Sequence, residues 1–394
     1  MSEYQYYEFQ AIDRPLTNKE IKELRAISTR AEITSSSFVN DYSWGNFKGD
    51  EDLWMEKYFD GFLYYANWGT HVLKLRIPSA FLNLESVQPY CNTEHLSARL
   101  SQDKIILDFL SNDESGKYWD VEDELRLSPF LSLRMDLSRG DLRCLYLAWL
   151  AGVQDKNDNE EYEEEEYNDD KLEPPVPPGL SELSPALILF AEFLRIDSDL
   201  IEAASKASLS LAESFTSNDV RKWLATFSSN DKETLLADTL EGFIKGDLTV
   251  ALQLVHRFNK VWHAQLINDQ NVKPRTVSEL LKEAKCITQM RQQREAEQKA
   301  AKKAEQQQLK QKAREKRLNE IVGQEAVFWN QIELLVSEKK AKSYDKAVEL
   351  LTDLYELALQ KDPTDFLQKL NDLKQRHSTK SSFIERVRKL TSRK

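Results

Sequence analysis

The feature that most constrains this chain is a long run without glycine or proline whose middle part, residues 291–317, is almost free of large apolar side chains. The run begins at Thr276 and continues to Ile321. Thr276 and Glu279 have the capping-box spacing that marks a helix start. Between residues 291 and 317, Leu309 is the only large aliphatic residue. Such a helix has no apolar face with which to enter a core. We therefore predict a mostly solvent-exposed helix over residues 273–322, and a chain of more than one domain.

Pairing of this helix into a coiled coil would require large apolar residues sustained at the a and d positions. Here that seam is mostly alanine and glutamine, with charge pairs four residues apart that support a single helix. The sequence favours the single helix, and pairing with another copy stays open at this point, as does the oligomeric state.

The net charge changes sign near the start of this helix. The net charge is -12 over 394 residues. Residues 273–394 contain 28 basic and 18 acidic residues, a net +10, which leaves 26 basic and 48 acidic residues, a net -22, in residues 1–272. The two parts could attract each other or bind different partners.

The N-terminal sequence has neither the basic start nor the apolar run of a signal peptide, and no later stretch approaches the roughly 20 apolar residues of a membrane span. The cysteines, Cys91, Cys144 and Cys286, are odd in number and far apart. This pattern fits reduced thiols. We predict a cytoplasmic protein without membrane segments, disulfides or structural zinc.

The first 154 residues mix strand and helix patterns. Residues 4–12, 61–67, 71–77 and 104–110 have the β-branched, aromatic or alternating composition of strands, and a helix pair follows within residues 125–151. This predicts an α+β domain that is rich in tryptophan and tyrosine.

The rest of the chain is predicted to be helical after a linker. Residues 155–180 combine an acidic run with the segment PPVPPG, which is typical of a linker. Apolar stripes predict an all-α helical bundle over residues 181–272, then the long basic helix 273–322. A C-terminal helical hairpin, with a short last helix, is predicted over residues 323–394.

Motifs for catalysis or cofactors are absent. No two of the five histidines are four residues apart, and the nucleophile elbow, the P-loop and the dinucleotide fingerprint do not occur. We therefore predict no metal, cofactor or catalytic residue. One enzymatic alternative stays open, a hydrolase that uses Asp41, Asp50, Glu51 and Asp52 among aromatic rings. The sequence favours the structural interpretation, in which the same residues form turns and a helix start after Asp50.

A second alternative is nucleic-acid binding by the basic helix. Residues 282–317 include twelve basic and five acidic residues, which could contact phosphates. The competing interpretation is a solvated spacer, because no aromatic side chain is present to stack on bases. The residues predicted to bind nucleic acid are Lys299, Lys302, Lys303, Lys310, Lys312, Arg314, Lys316 and Arg317.

Residues 6–16 (YYEFQAIDRPL), 62–69 (FLYYANWG) and 172–180 (LEPPVPPGL) resemble a family of uncharacterised bacterial proteins, a resemblance that implies no activity. Residues 344–351 (YDKAVELL) and 376–383 (RHSTKSSF) resemble the helical tails of bacterial SWIM-type zinc-finger proteins. The Cys-x-Cys and Cys-x-His pairs of that zinc finger are missing, so the resemblance implies at most a docking tail. The leading hypothesis is a bacterial interaction or scaffold protein without catalysis, whose aromatic domain binds a protein partner.

Overall fold

The computed structural model describes residues 4–43, 45, 47–91, 94–113, 125–158, 171–210, 216–247, 249–269, 274–360 and 362–391. The chain divides into two compact units, residues 1–290 and 291–394. The predicted fold class is confirmed: an α+β region built on an antiparallel sheet is followed by a mainly helical region. No helix in the described ranges is long and apolar enough to cross a membrane.

A seven-stranded sheet, entirely antiparallel, forms the N-terminal region, in the order β2-β3-β1-β4-β5-β7-β6. The strands are β1 (Gln5–Gln10), β2 (Glu32–Ile33), β3 (Ser37–Tyr42), β4 (Gly61–Ala66), β5 (Thr70–Pro78), β6 (Leu96–Ser101) and β7 (Lys104–Asn112). The strands predicted from the sequence correspond to β1, β4, β5 and β7. The β4–β5 turn needs Gly69, because its φ is +93° and a Cβ atom would lie 2.2 Å from the Asp113 carbonyl oxygen.

One face of the sheet is covered by α1 (Asn18–Ile27) and α2 (Glu51–Lys57). Thr17 and Glu20 form the predicted capping box of α1. An aromatic cluster fills the space beneath the helices, with the rings of Phe9 and Phe62 stacked at a centroid distance of 4.3 Å. This part of the fold is therefore held by ring packing.

The opposite face packs against α3 (Leu84–Val87), α4 (Leu131–Ser138), α5 (Arg143–Asp158), α6 (Pro185–Phe193) and α7 (Ser198–Ser205). Leu73, Leu75 and Leu107 project from the strands into this core, where Trp149 and Phe190 are fully buried. The start of the long helix α11 (Val277–Ile321) joins the same core through Leu280.

The segment predicted to be a linker, residues 155–180, differs from that prediction where it is described. Residues 159–170 of the acidic run lie outside the described residues. Residues 171–180 pack within the first unit, with Leu180 buried and the Pro175 carbonyl oxygen accepting a 2.7 Å hydrogen bond from the Tyr90 hydroxyl. Glu173 forms an ion pair with Arg275 at 2.7 Å. The proline-rich segment is thus part of the core, because its rings are apolar and its carbonyl groups find donors.

The region predicted as a bundle over residues 181–272 also separates into two parts. Helices α6 and α7 belong to the core around α5. Three further helices follow: α8 (Ser217–Ala225), α9 (Ser229–Lys245) and α10 (Thr249–Asp269). Among their described side chains, Phe258 is the one buried apolar residue. The Asn259 side chain donates a 2.6 Å hydrogen bond to the Arg139 carbonyl oxygen, which attaches α10 to the end of α4.

The second unit contains most of α11 together with α12 (Glu325–Ser337), α13 (Ala341–Gln360), α14 (Thr364–Arg376) and α15 (Ser381–Thr391). Ile332, Leu351 and Phe383 are fully buried in its core, which Leu318 and Ile321 of α11 complete. The predicted hairpin over residues 323–394 is therefore part of a larger bundle. Gly323, at φ +80°, makes the turn between α11 and α12.

Candidate functional site

The carboxylates of the hydrolase hypothesis have local structural contacts. Asp50 is the N-cap of α2, and its Oδ1 accepts a 2.9 Å hydrogen bond from the Leu53 amide. Asp52 pairs with the buried Lys74 at 2.8 Å and with Arg99 at 3.1 Å. Asp41 is exposed on β3. Asp50 and Asp52 are thus engaged in a helix cap and an ion-pair network.

Glu51 has a different environment. Burial raises the pKa of its carboxyl group, and the nearby Asp52 and Asp108 act in the same direction, whereas Lys74 opposes the shift. It makes no hydrogen bond or ion pair within the described residues. Burial, with Glu51 as a second cause, also raises the pKa of Tyr64 to about 12. Glu51 is thus the carboxyl group of this set that lies near aromatic rings, and the hydrolase hypothesis stays a prediction.

The aromatic residues of the first 154 residues mainly build cores. Tyr6, Tyr7, Trp54 and Trp149 are buried. Trp68, at the β4–β5 turn, is exposed, and Trp44 and Trp119 lie outside the described residues. Most of the described aromatic rings that the sequence suggests for partner binding are therefore packed against other residues of the domain.

Two of the histidines, His71 and His95, are held by hydrogen bonds to the backbone and to charged side chains. His71 contacts the Phe193 carbonyl oxygen at 3.3 Å through Nδ1 and Arg195 at 3.1 Å through Nε2. His95 contacts the Leu110 carbonyl oxygen at 2.8 Å and Asp155 at 2.7 Å. Within the described part of the chain, no three His, Cys, Asp or Glu residues are placed to hold a metal ion.

The basic residues predicted to bind nucleic acid fall into two groups on α11. Every residue from 289 to 313 is exposed. The six lysines are exposed and have no ion pair with any residue that the structure describes. These residues are Lys299, Lys302, Lys303, Lys310, Lys312 and Lys316.

Arg314 and Arg317 instead bind carboxylates of α13. Arg317 Nε lies 2.6 Å from Asp353 Oδ2, and its Nη1 lies 2.6 Å from Glu349 Oε1. Arg314 contacts Asp353 and also binds Glu356 at 2.9 Å. The Asp353 side chain is fully buried between the two guanidinium groups. These two arginines therefore hold α11 and α13 together.

Among the residues that the structure describes, α9 has four large apolar side chains that are more than half exposed. Leu236, Leu240, Phe243 and Ile244 are 62%, 54%, 62% and 86% exposed, and we refer to these four residues as the α9 apolar stripe. The sequence pattern predicts Leu236, Leu240 and Phe243 as core residues of a bundle. The structure leaves them exposed because α9 packs along α10 through another side, where Leu235 and Thr239 are half-buried.

No family model, curated protein or solved structure matches this chain, so the two resemblances noted in its sequence stay predictions.

Proposed function

We propose that this chain is a non-catalytic interaction protein, and that the α9 apolar stripe binds a basic amphipathic helix of a protein partner. The observation that supports the proposal is the exposure of four large apolar side chains on one helix. Burying such a side chain fully contributes about 1.5–3 kcal/mol. Contiguous exposed apolar surface is typical of interaction sites.

The spacing of the stripe supports a helical partner. Its members follow one another at i, i+4, i+7 and i+8, so they form a narrow ridge about two turns long. Ridges of this shape pack into the grooves of another helix. An amphipathic helix recognised at i, i+3, i+4 and i+7 positions is a recurrent mode of protein recognition.

The charges of α9 support a basic partner. The helix contains four acidic residues and two lysines. Lys245 is paired with Glu241 at 2.6 Å, and Glu233 is exposed one turn before the stripe begins. Glu233 thus places an acidic side chain at the N-terminal end of the ridge, and the whole helix has a net charge of -2, which favours a partner helix with lysine or arginine beside its own apolar face.

A second copy of this chain fits the stripe less well. Each α9 helix contains four acidic residues and two lysines, a net charge of -2. Twofold pairing would bring two such helices together, and their like charges would repel each other.

The test uses the full chain and a synthetic helical peptide with leucines at i, i+3, i+4 and i+7 and lysines elsewhere, followed by fluorescence anisotropy. We expect saturable binding that weakens about tenfold or more in Leu240→Ser/Phe243→Ser, because two buried contacts are lost. A peptide with glutamates in place of the lysines should bind more weakly.

The matched control is Leu309→Ser, since Leu309 is also exposed but lies on α11. Equal binding by the wild-type chain and the α9 variant would overturn the proposal. So would a dimer in analytical ultracentrifugation that Phe243→Ser dissociates, because the stripe would then belong to a second copy.

A further inference from the structure

The predicted nucleic-acid residues include a stripe that continues into an interface already formed. Lys299, Lys303, Lys310, Arg314 and Arg317 follow one another at intervals of four, seven, four and three residues. These intervals place all five on one side of a helix. We refer to them as the basic stripe of α11.

Carboxylates at matching intervals occupy the C-terminal end of this stripe. Glu349, Asp353 and Glu356 of α13 are four and three residues apart, and they bind Arg317 and Arg314. Arg317 binds the earlier two of these and Arg314 the later two, so the helices run antiparallel here. The structure thus shows that this side of α11 recognises a helix with acidic side chains one turn apart.

The stripe extends beyond the end of α13. In this antiparallel register, moving from Arg314 towards Lys310 corresponds to moving from Glu356 to the last residue of α13, Gln360. Lys303 and Lys299 lie seven and eleven residues before Lys310, about 10 and 16 Å farther along the helix. Both are exposed and have no ion pair among the described residues.

We propose that the free part of the basic stripe, Lys299 to Lys310, binds an acidic helix of a protein partner. The partner helix would continue the carboxylate pattern of α13, with Asp or Glu residues three or four apart on one side. Its attraction is electrostatic, so binding falls as salt rises. This site does not depend on the α9 apolar stripe, which lies in the other unit.

An acidic helix fits this surface better than a nucleic acid does. Residues 289–317 contain no aromatic side chain that would stack on a base. The carboxylate contacts of Arg314 and Arg317, in contrast, are the kind of contact that the proposal extends.

The test measures binding of the full chain to a fluorescent helical peptide with glutamates at i, i+4, i+7 and i+11. A peptide of the same composition in scrambled order and a fluorescent oligonucleotide are measured in parallel. The variant Lys299→Gln/Lys303→Gln/Lys310→Gln removes the free stripe. We expect it to bind the patterned peptide about tenfold more weakly than the wild-type chain, because three ion pairs are lost.

The matched control is Arg294→Gln/Lys312→Gln/Lys316→Gln, which removes the same charge from another side of the exposed helix. It should change the affinity less than about twofold. Circular dichroism checks that both variants keep their helix content.

Three results would overturn the proposal: no binding at low salt, equal binding of the patterned and scrambled peptides, or equal loss in the two variants. Tighter binding of the oligonucleotide than of the patterned peptide would also overturn it, in favour of nucleic-acid recognition. The α9 variant Leu240→Ser/Phe243→Ser should bind the acidic peptide as the wild-type chain does, so this test and that of the α9 stripe fail separately.

Discussion

Residues 216–269 and residues 325–391 are both helical and both amphipathic in sequence, yet they bury their apolar side chains to very different degrees. In the C-terminal bundle, Ile332, Leu351 and Phe383 are fully buried. In α8 to α10, Phe258 is the one buried apolar residue among those described. Helices α12 to α15 pack on one another and on the end of α11, whereas α9 packs along α10 and leaves its apolar stripe exposed.

This difference shows what helical periodicity does and does not establish. A 3.6-residue apolar period requires only that one side of a helix leave water. Which surface covers that side is set by neighbouring elements, or by another molecule where no neighbour is present. The exposed α9 apolar stripe is the observation on which the proposed binding of a partner helix rests.

The sharpest test of the comparison replaces the same residue type in both regions. Phe383 is fully buried beside Tyr344, and its replacement by alanine should destabilise the C-terminal bundle by about 3–5 kcal/mol through lost burial and a cavity. Phe243→Ala should change stability by less than about 0.5 kcal/mol, because the ring is mostly exposed. Hydrogen exchange resolved by peptide measures both. Similar exchange increases in the two variants would contradict the comparison.

The second largest difference between the two regions should be the stability that their ion pairs contribute. Asp353→Asn removes a fully buried carboxylate from two guanidinium groups, and we expect a loss of about 1.5–3 kcal/mol in the C-terminal bundle. Glu241→Gln removes the exposed pair with Lys245 and should cost less than about 0.5 kcal/mol. Urea unfolding of both variants is the measurement. A larger effect at Glu241 would show that α9 is more tightly packed than its exposure indicates.

Replacing a glycine by alanine should reduce stability by the same amount at Gly246 and at Gly323, because neither position is packed against other atoms. Gly246 ends α9 at φ +72° and Gly323 follows α11 at φ +80°, with no atom within 4 Å of an added Cβ in either case. Alanine at each position should therefore cost about 1–2 kcal/mol through backbone strain alone. Thermal unfolding and local hydrogen exchange test this equality. A clearly larger cost at one position would reveal a packing contribution there.

The smallest expected effect is a pH dependence in the attachment of α10. Burial, assisted by Lys260, lowers the pKa of His256, which lies beside Gly140. Below about pH 6.5 the unfolded chain takes up a proton that the folded histidine resists, so α10 should lose stability as pH falls through this range. Hydrogen exchange of α10, corrected for the intrinsic rate, should reveal this trend, and His256→Gln should remove it.

His95 serves as a control, because its pKa is shifted in the opposite direction and its contribution to stability should therefore depend on pH in the opposite way. Burial opposes its charged form, but the hydrogen bond and charge of Asp155 outweigh burial and raise its pKa. Its contribution is complete below about pH 6.5 and is lost as pH rises through the raised value. Peptides around β6 should therefore become less protected towards higher pH. The same trend in both regions would contradict these assignments.

The candidate sites were only partly predictable. The basic composition of residues 282–317 marks α11 as a charged surface, but the sequence does not distinguish Arg314 and Arg317, which bind α13, from the free lysines. That distinction depends on where α13 lies and where it ends. The α9 apolar stripe is visible in sequence as a helical pattern, and the same pattern leads to the prediction of a buried face.

The sequence by itself determined the local elements: the capping boxes at Thr17 and Thr276, the unbroken helix to Ile321, and the strands that became β1, β4, β5 and β7. These follow from short-range hydrogen bonding, rotamer preference and periodicity, which neighbouring residues fix. The tertiary structure alone decided which apolar faces are covered, which charges are paired and that residues 171–180 enter a core. Burial and ion pairing depend on residues far apart in the chain, whose positions no local pattern specifies.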